Sequence, residues 1–378
     1  MKIYFDENMP FAREFFEEFG EVVPFAGRDV TADVVADADV LLVRSITQVN
    51  HELLKHNKKL SFVGSATIGF DHIDKDYLAS RGIYFTSAPG CNAISVAEYV
   101  ISSLIVLSEK GQFSIFDKTV GIIGAGNTGS RLSEKLSALG INYKLCDPIL
   151  EHNGDTRTFH SLEEVLDCDV ISLHVPKTMT GEHATYHLLD KLRLENLRDN
   201  QILINACRGE VIDNEALLAI KKAGAKFQLV LDVWENEPHI LHDLIGYADI
   251  ATAHIAGYSL EGKARGSEML YQALCQHVGK ACSKTLNTFL PEPMFGCVKI
   301  NQPMSEILLN PVVKMVYDVR RDDAIFRHQI HSRGFDHIRK TYPARREFSS
   351  LSLTTPINSE YDSLYRLGFS QNVQEEEE

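Results

Sequence analysis

A glycine-rich stretch in the middle of the chain has residue types and spacing suited to binding a phosphate group. Gly124, Gly126 and Gly129 form GxGxxG, directly after a predicted strand and at the start of a predicted helix. The first glycine permits a tight turn, the second lets the backbone approach a pyrophosphate, and the third lets helix and strand pack closely. The helix N-terminus favours the anion. The stretch, including Asn127, therefore predicts a dinucleotide-binding site.

An acidic residue at the end of the next predicted strand indicates which dinucleotide is bound. Asp147 follows the glycine turn at about the spacing, roughly 20 residues, that is typical of such sites. A carboxylate there can accept hydrogen bonds from the adenosine ribose hydroxyls, and it would repel a 2′-phosphate. We therefore expect NAD as the cofactor rather than NADP.

Four further stretches contain side chains suited to proton and hydride chemistry. They are SLHVPKTMT at 172–180, ILINACRGEVIDNEAL at 202–217, LDVWENEP at 231–238 and TAHIAGY at 252–258. Together with the glycine turn, they resemble the D-isomer-specific 2-hydroxyacid dehydrogenases, and the resemblance covers roughly residues 1 to 285. That family carries an ordered Arg, Glu and His set. The matching positions in this chain are Arg208, Glu237 and His254.

The resemblance implies a catalytic role for each of these three residues, and elementary chemistry agrees. Oxidation of a 2-hydroxy acid requires the hydroxyl proton to leave and the C2 hydride to pass to a nicotinamide. His254 can accept the proton because imidazole titrates near neutrality. Glu237 would orient the imidazole and stabilise the imidazolium. Arg208 would bind the substrate carboxylate and polarise the developing carbonyl.

The same resemblance implies further contacts to the cofactor. The positions concerned are Val175, Ala206, Cys207, Arg208, Asp232 and Gly257. Residues 206–208 would run beside the nicotinamide ribose, and Asp232 would lie near the carboxamide. Val175 and Gly257 would bring main-chain atoms close to the cofactor. The family offers no catalytic role for Cys207, which we interpret as a small packed residue.

Several details resemble one branch of the family that oxidises a small phosphorylated 2-hydroxy acid. They include LVRSIT at 42–47, VGSATIGFDHID at 63–74, INACRG at 204–209 and HIAGYS at 254–259. A substrate with a carboxylate, hydroxyls and a phosphate needs several cationic or hydrogen-bond donors. The candidate substrate-binding residues are Arg44, Ser45, Thr67, Tyr258 and Arg346, with Arg345 as the alternative to its neighbour.

Apolar strands alternate with helical stretches in two successive series. The predicted strands include Lys2–Phe5, Val40–Val43, Thr119–Ile123, Asn142–Cys146, Val170–Leu173 and Gln228–Leu231, and the predicted helices include Pro10–Phe19, Lys75–Ser80 and Thr128–Leu139. This alternation predicts parallel sheets covered on both faces. We expect an α/β protein with two doubly wound, Rossmann-like parallel-sheet domains and a smaller α+β C-terminal dimerisation domain.

The pattern also suggests where these three domains begin and end. We expect a substrate (lid) domain at 1–95 and 256–286, an NAD-binding domain at 96–255 and the C-terminal dimerisation domain at 287–378. After about Leu286, prolines and pairs of basic residues interrupt the α/β pattern. The last part resembles the dimerisation domain of the same branch, which implies a homodimer. The acidic run at 375–378 is expected to be a solvated end.

Composition excludes several classes of function. The 378 residues include 38 Lys and Arg against 52 Asp and Glu, a formal net charge of −14, which disfavours nucleic acid or anionic lipid as a partner. No apolar run approaches the roughly 20 residues that a membrane span needs. The seven cysteines are scattered without CxxC or zinc-site spacing. We therefore expect reduced thiols, no metal site and a cytoplasmic location.

Two alternative functions stay open at this point. The same chemistry could act on another substrate, such as 3-phosphoglycerate or hydroxypyruvate and glyoxylate. The chain could instead be a non-catalytic NAD-sensing binding protein, which needs a cofactor site and a dimer surface but no turnover. The intact set of Arg208, Glu237 and His254 argues against the second alternative.

Overall fold

The computed structural model describes residues 1–356 and 361–372, so the acidic run at 375–378 lies outside the described residues. The chain divides into two units. The first unit comprises Met1–Asn92 and Tyr258–Glu292, and the second comprises Ala93–Gly257 together with the C-terminal segment from Pro293. The C-terminal segment is thus grouped with the residues of the expected NAD-binding domain, and the three-part division stays a prediction.

Strands and helices alternate through most of the chain. The strands are β1 (Lys2–Asp6), β2 (Glu21–Phe25), β3 (Val40–Val43), β4 (Phe62–Ser65), β5 (Tyr84–Ser87), β6 (Thr119–Ile123), β7 (Asn142–Cys146), β8 (Val170–Leu173), β9 (Ile202–Asn205), β10 (Gln228–Leu231), β11 (Ile250–Ala251), β12 (Cys297–Lys299), β13 (Ser352–Thr354) and β14 (Ser370–Gln371). The helices are α1 (Ala12–Phe16), α2 (His51–Leu54), α3 (Lys75–Ser80), α4 (Ala93–Gly111), α5 (Asn127–Leu139), α6 (Pro148–His152), α7 (Leu162–Leu166), α8 (Lys191–Glu195), α9 (Asn214–Lys222), α10 (His242–Ile245), α11 (Leu260–Val278), α12 (Glu306–Val316), α13 (Val319–Arg333), α14 (Phe335–Lys340) and α15 (Asp362–Leu367). Short 3₁₀ turns lie at Glu17–Phe19, Ile115–Asp117, Gly209–Val211, Leu286–Thr288 and Phe348–Ser350.

Each unit contains a parallel sheet, which confirms the predicted fold class. The first unit has strand order β2-β1-β3-β4-β5, and the second has β11-β10-β9-β8-β6-β7. The order reverses beside β1 in the first sheet and beside β6 in the second, and ligands of open α/β sheets bind at such switch points. A small three-stranded sheet, β12-β13-β14, belongs to the C-terminal segment.

Both faces of the first sheet are buried, as the doubly wound prediction requires. Ile3 and Phe5 pack with α1 and α11 on one face, whereas Tyr4 packs with α2 and α3 on the other. Successive side chains of a strand point to opposite faces, so an apolar run such as this one is buried on both sides.

Two local features differ from the prediction, and each has a physical reason. Strand β2 was not predicted because it contains Pro24, which lacks a backbone donor. It is an edge strand, where proline is tolerated. The helix expected from Pro10 begins only at Ala12, because Phe11 adopts a left-handed backbone with φ of 56°.

The C-terminal segment packs into the core of the second unit. Phe326 of α13 and Phe335 of α14 belong to the same buried cluster as the sheet residues Leu203 and Leu229. The Asp323 carboxylate accepts a hydrogen bond from Ala251 N–H of the edge strand β11 at 2.7 Å. The Arg327 guanidinium donates to the carbonyl oxygens of Ile245 and Ala248. The segment therefore covers one edge of the large sheet.

A buried ion pair adds a second attachment between the C-terminal segment and the rest of this unit. Lys135 of α5 lies 3.2 Å from Glu98 of α4 and also donates to the carbonyl oxygen of Leu367. The Glu98 carboxylate accepts the N–H of Phe348. Burial raises the pKa of Glu98 to about 7, with Lys135 opposing the rise. The Lys135 ammonium thus links α5, α4 and the C-terminal segment.

The helices and the cysteines can be compared with what the composition predicts. Among residues 1–356 and 361–372, no helix is long and apolar enough to cross a membrane. All seven cysteines are free thiols.

Replacement of Lys135 by Met should destabilise the second unit by about 3–5 kcal/mol, because the change leaves a buried carboxyl without its cation. The loss should be larger at pH 8 than at pH 6. Without Lys135 the folded pKa of Glu98 rises further, and an acid with a raised folded pKa loses stability as pH increases. Guanidinium unfolding of the wild type and the variant at both pH values measures the loss in the free energy of unfolding.

The matched control is Lys191→Met. It removes an exposed lysine whose ammonium lies 3.7 Å from the surface carboxylate of Glu195. It should change the free energy of unfolding by less than about 1 kcal/mol. The double variant Lys135→Met/Glu98→Gln should recover part of the loss. Equal stability of Lys135→Met and Lys191→Met would show that the buried pair does not hold the segment.

Candidate active site

The glycine turn between β6 and α5 has the geometry that GxGxxG predicts. Gly124 has φ of +93°, and a Cβ there would lie 2.5 Å from the carbonyl oxygen of His174. A Cβ at Gly129 would collide with the carbonyl oxygen of Gly124, so strand and helix approach as closely as expected. A Cβ at Gly126 would meet nothing within 4 Å. Open space therefore lies before the N-terminus of α5, where a pyrophosphate fits.

Asp147 is positioned beside this turn by two backbone hydrogen bonds. Its Oδ2 accepts the N–H of Ala125 at 2.9 Å, and its Oδ1 accepts the N–H of Leu150 at 3.0 Å. The second bond caps α6. Each carboxylate oxygen can accept a further hydrogen bond, so Asp147 can accept one from a ribose hydroxyl. The residues of this edge thus fit the adenosine half of NAD.

Two residues after β8 lie against the glycine turn. Val175 Cγ1 would be 2.9 Å from a Cβ on Gly124. His174 donates its backbone N–H to Ile123, and its ring Nε2 lies 2.8 Å from Ser172 Oγ. Its Nδ1 is buried with no hydrogen-bond partner, and burial lowers the pKa of His174 to about 4. A neutral, incompletely satisfied imidazole therefore lies next to the turn, a feature the sequence reasoning missed.

Two of the predicted catalytic residues, His254 and Glu237, form a hydrogen-bonded pair in the second unit. His254 Nδ1 lies 2.7 Å from Glu237 Oε2, and the histidine side chain is 32% exposed. Among the described residues no group hydrogen-bonds to His254 Nε2. The other carboxylate oxygen of Glu237 accepts the N–H of Trp234 at 3.0 Å. This is the arrangement of a general base with an orienting acid.

The charge of Glu237 is stabilised by its surroundings. Burial alone would raise the pKa of Glu237, but His254 and, after it, Arg339 and the Trp234 N–H hold that pKa below its usual value. The carboxylate therefore stays ionised at neutral pH and can stabilise an imidazolium on His254.

The backbone at His254 is held in an uncommon conformation by Asp232. His254 has φ of 56° and donates its N–H to the Asp232 carbonyl oxygen at 2.6 Å. The Asp232 carboxylate accepts the N–H groups of Ile255 and Ala256 and the hydroxyl of Thr252. Non-glycine residues with positive φ often mark functional sites. Asp232, predicted near the carboxamide, therefore also fixes the loop that carries the histidine.

Arg208 follows β9 in a loop fixed by Asn205. The Asn205 amide donates to the Arg208 carbonyl at 2.9 Å, and its oxygen accepts the N–H of Cys207 at 3.2 Å. A Cβ on Gly209 would overlap the backbone of Trp234, so this loop lies directly against the segment that carries Glu237. Burial raises the pKa of Cys207 to about 11, which agrees with a packed thiol.

Four of the predicted substrate-binding residues lie in the first unit. Arg44 and Ser45 follow β3, Thr67 follows β4, and Tyr258 precedes α11. Arg44 Cζ lies 5.5 Å from the centre of the Tyr258 ring, and Arg44 Nη1 donates to the carbonyl oxygen of Asn8. Because β3 and β4 are parallel neighbours, the residues that follow them lie at the same edge of the sheet.

The two neighbouring arginines of the C-terminal segment differ in their burial. Arg345 is 2% exposed, and its guanidinium donates to the carbonyl oxygens of Ala256 and Ser95 and lies 3.6 Å from the Tyr317 ring centre. Two donors of Arg345 are thus engaged by backbone carbonyls, which favours Arg346 over Arg345 as the candidate for the phosphate. Arg346 is only partly buried.

A second histidine cluster was not predicted from the sequence. His187, Asp213 and Glu235 place one ligand atom each within 4.8 Å of one another, a grouping that could hold a metal ion. His187 Nε2 lies 2.7 Å from Glu235, whose other oxygen accepts the Asn214 N–H, and Asp213 caps α9. These groups are hydrogen-bonded within the protein.

Comparisons with known proteins agree with this geometry. A family model described as D-isomer specific 2-hydroxyacid dehydrogenase, NAD binding domain, matches residues 106–256, and a model described as a domain of unknown function matches residues 289–368. The erythronate-4-phosphate dehydrogenases of Colwellia psychrerythraea and Tolumonas auensis are 59% and 56% identical to this chain. Each match covers 98% of this chain and at least 99% of the relative.

A solved structure with bound cofactor is also similar. It is the NAD⁺-bound 3-phosphoglycerate dehydrogenase of Entamoeba histolytica, with a TM-score of 0.63 and 26% identity, covering 77% of this chain and 99% of that one. The family and the NAD cofactor indicated by the sequence motifs are thereby confirmed.

Replacement of Asp147 by Asn should weaken NAD binding by at least about tenfold, because a charge-assisted hydrogen bond becomes a neutral one. The affinity for NADP should fall less or rise, because the carboxylate no longer repels a 2′-phosphate. Isothermal titration with both dinucleotides measures the two affinities. The control is Asp190→Asn, which alters a helix-capping aspartate of α8 in the same unit. Unchanged NAD affinity in Asp147→Asn would contradict the predicted ribose contact.

Proposed function

The chain belongs to the erythronate-4-phosphate dehydrogenases, within the D-isomer specific 2-hydroxyacid dehydrogenase family, and we propose that it oxidises 4-phospho-D-erythronate with NAD. The product would be 3-hydroxy-2-oxo-4-phosphooxybutanoate. This reaction would be one step on a route to pyridoxal phosphate. The observation that carries the proposal is the 2.7 Å pair of His254 and Glu237, in a chain that also has the glycine turn.

The proposed mechanism gives the proton to the histidine. His254 Nε2 accepts the C2 hydroxyl proton as the carbonyl forms, while Nδ1 stays bonded to Glu237. The ionised Glu237 stabilises the resulting imidazolium, which lowers the barrier to proton removal. When NAD is bound, its nicotinamide accepts the hydride that leaves C2. His254 and Glu237 thus move only the proton.

The cofactor contacts that we propose lie around the glycine turn between β6 and α5 and around the loops that follow the neighbouring strands. The glycine turn with Asn127 would bind the pyrophosphate, and Asp147 would bind the adenosine ribose. Val175, Gly257 and residues 206–208 would approach the nicotinamide half, with Asp232 near the carboxamide.

Substrate recognition needs cations at both ends of the molecule. We propose that Arg208 binds the carboxylate next to the reacting carbon and polarises the C2 oxygen. Arg44, Ser45, Thr67 and Tyr258 would bind the hydroxyl and phosphate end. Arg346 is a further candidate for the phosphate.

The C-terminal segment supports a proposed homodimer. Met294, Phe295 and Ile307 are 91%, 52% and 86% exposed, although side chains of this type are normally buried. A second copy of the chain would cover them. The seven free thiols and the metabolic activity fit a cytoplasmic enzyme, which we also propose.

Turnover should be confined to 4-phosphoerythronate in a panel with erythronate and 3-phosphoglycerate, because the phosphate and the third carbon hydroxyl are both recognised. NADH formation is followed with and without a 2-oxo acid that reoxidises bound NADH. Turnover on 3-phosphoglycerate alone would keep the mechanism and overturn the substrate. NAD binding without any turnover would favour the NAD-sensing alternative.

In the same assay, His254→Asn should lower kcat/KM by about 10²–10⁴-fold, the usual contribution of a general base, while NAD binding persists. His239→Asn changes an exposed histidine nearby in the chain and serves as the control. Equal activity of the two variants would exclude His254 as the base.

A charge at one of these exposed apolar residues should break the proposed dimer. Ile307→Glu should shift the mass measured by light scattering from dimer to monomer, because a buried carboxylate at an interface is costly. Leu192→Glu, at an exposed leucine of α8, should leave the mass unchanged. A monomeric wild-type protein, or an Ile307→Glu dimer, would contradict this interface.

A further inference from the structure

Two cations of the first unit reach the same aromatic ring. Arg44 Cζ and Lys263 Nζ each lie 5.5 Å from the centre of the Tyr258 ring. Arg44 follows β3, whereas Lys263 lies in the first turn of α11. No sequence motif indicated Lys263, because its position depends on how α11 packs.

The packing of α11 explains why Lys263 lies at this edge of the sheet. Ser259 caps the helix by accepting the N–H of Gly262 at 2.8 Å. One turn further along, a Cβ on Gly266 would lie 3.1 Å from the carbonyl oxygen of Ala66. The helix therefore approaches the loop after β4 closely. Residues three apart share one helix face, so Lys263 lies on the side of α11 that approaches this loop.

Neither cation has a counter-charge among the described residues. Among residues 1–356 and 361–372, no carboxylate forms an ion pair with Lys263 or Arg44. Burial, and after it the neighbouring Arg44, lowers the pKa of Lys263 to about 8. Two partly buried like charges are unfavourable unless an anion joins them.

Other lysines near the same helix are arranged differently. Lys280 follows the C-terminus of α11 and lies 3.2 Å from Glu18, and Lys284 lies 3.4 Å from Glu17. Both are conventional surface ion pairs. Lys263, at the other end of the helix, has another cation as its charged neighbour.

We propose that Lys263 and Arg44, which both lie near the Tyr258 ring, together bind the phosphate of the substrate. This inference rests on the proposed function and assigns the phosphate end of that substrate. A phosphate monoester carries between one and two negative charges at neutral pH and several acceptor oxygens. It can therefore neutralise an ammonium and a guanidinium at once. Arg208 remains the partner of the carboxylate.

The test compares Lys263→Met with Lys280→Met, which removes a lysine that has its own carboxylate partner. Lys263→Met should raise KM for 4-phosphoerythronate by about 10- to 100-fold, the value of a lost charge-assisted contact, with little change in kcat. Lys263→Arg should restore much of the affinity. Thermal melting checks that each variant folds.

The outcomes separate this inference from the proposed function. Normal wild-type turnover with equal KM in Lys263→Met and Lys280→Met would overturn the phosphate assignment and leave the function intact. A fall in kcat alone would also overturn it. If the wild type oxidises no member of the panel, calorimetric binding of inorganic phosphate decides instead. Binding lost in Lys263→Met but kept in Lys280→Met supports the site, and equal binding overturns it.

Discussion

The buried carboxylate of Asp232 is the constraint on which the candidate active site depends. It accepts two backbone N–H groups after His254 and the hydroxyl of Thr252, and Thr252 is linked in turn to Tyr99 of α4. These bonds offset the strain of a histidine with positive φ. Without them, the imidazole would not be held against Glu237. A residue that need not touch any reacting atom thus sets the geometry of the residues proposed to react.

The C-terminal segment also stabilises the loop that carries His254. Arg345 donates to the carbonyl oxygen of Ala256, whose own N–H is bonded to Asp232. Its second donor holds the Ser95 carbonyl at the start of α4. The segment is therefore built into the second unit through buried polar contacts as well as through apolar packing. These contacts explain why the C-terminal segment groups with the second unit.

Much of the fold and part of the site could be predicted from local sequence. Strands β6, β7 and β8 have their predicted bounds because apolar runs are interrupted by glycine and polar turns. Gly124 and Gly129 each meet the steric need that their motif implies. The roles of Lys263 and of the buried Asp232 network could not be predicted, because they depend on contacts between distant segments. Arg345 and Arg346 are adjacent in sequence, and only the packed structure distinguishes the buried arginine from its neighbour.

The sole tryptophan of the chain occupies a position with a practical consequence. Trp234 holds Glu237 through its backbone, bonds to the Thr252 carbonyl through its indole and stacks on Phe326 of the C-terminal segment at 5.6 Å. Its fluorescence therefore comes from one known location, without background from a second indole. The protein carries an intrinsic optical reporter where the histidine loop, the acid and the C-terminal helices meet.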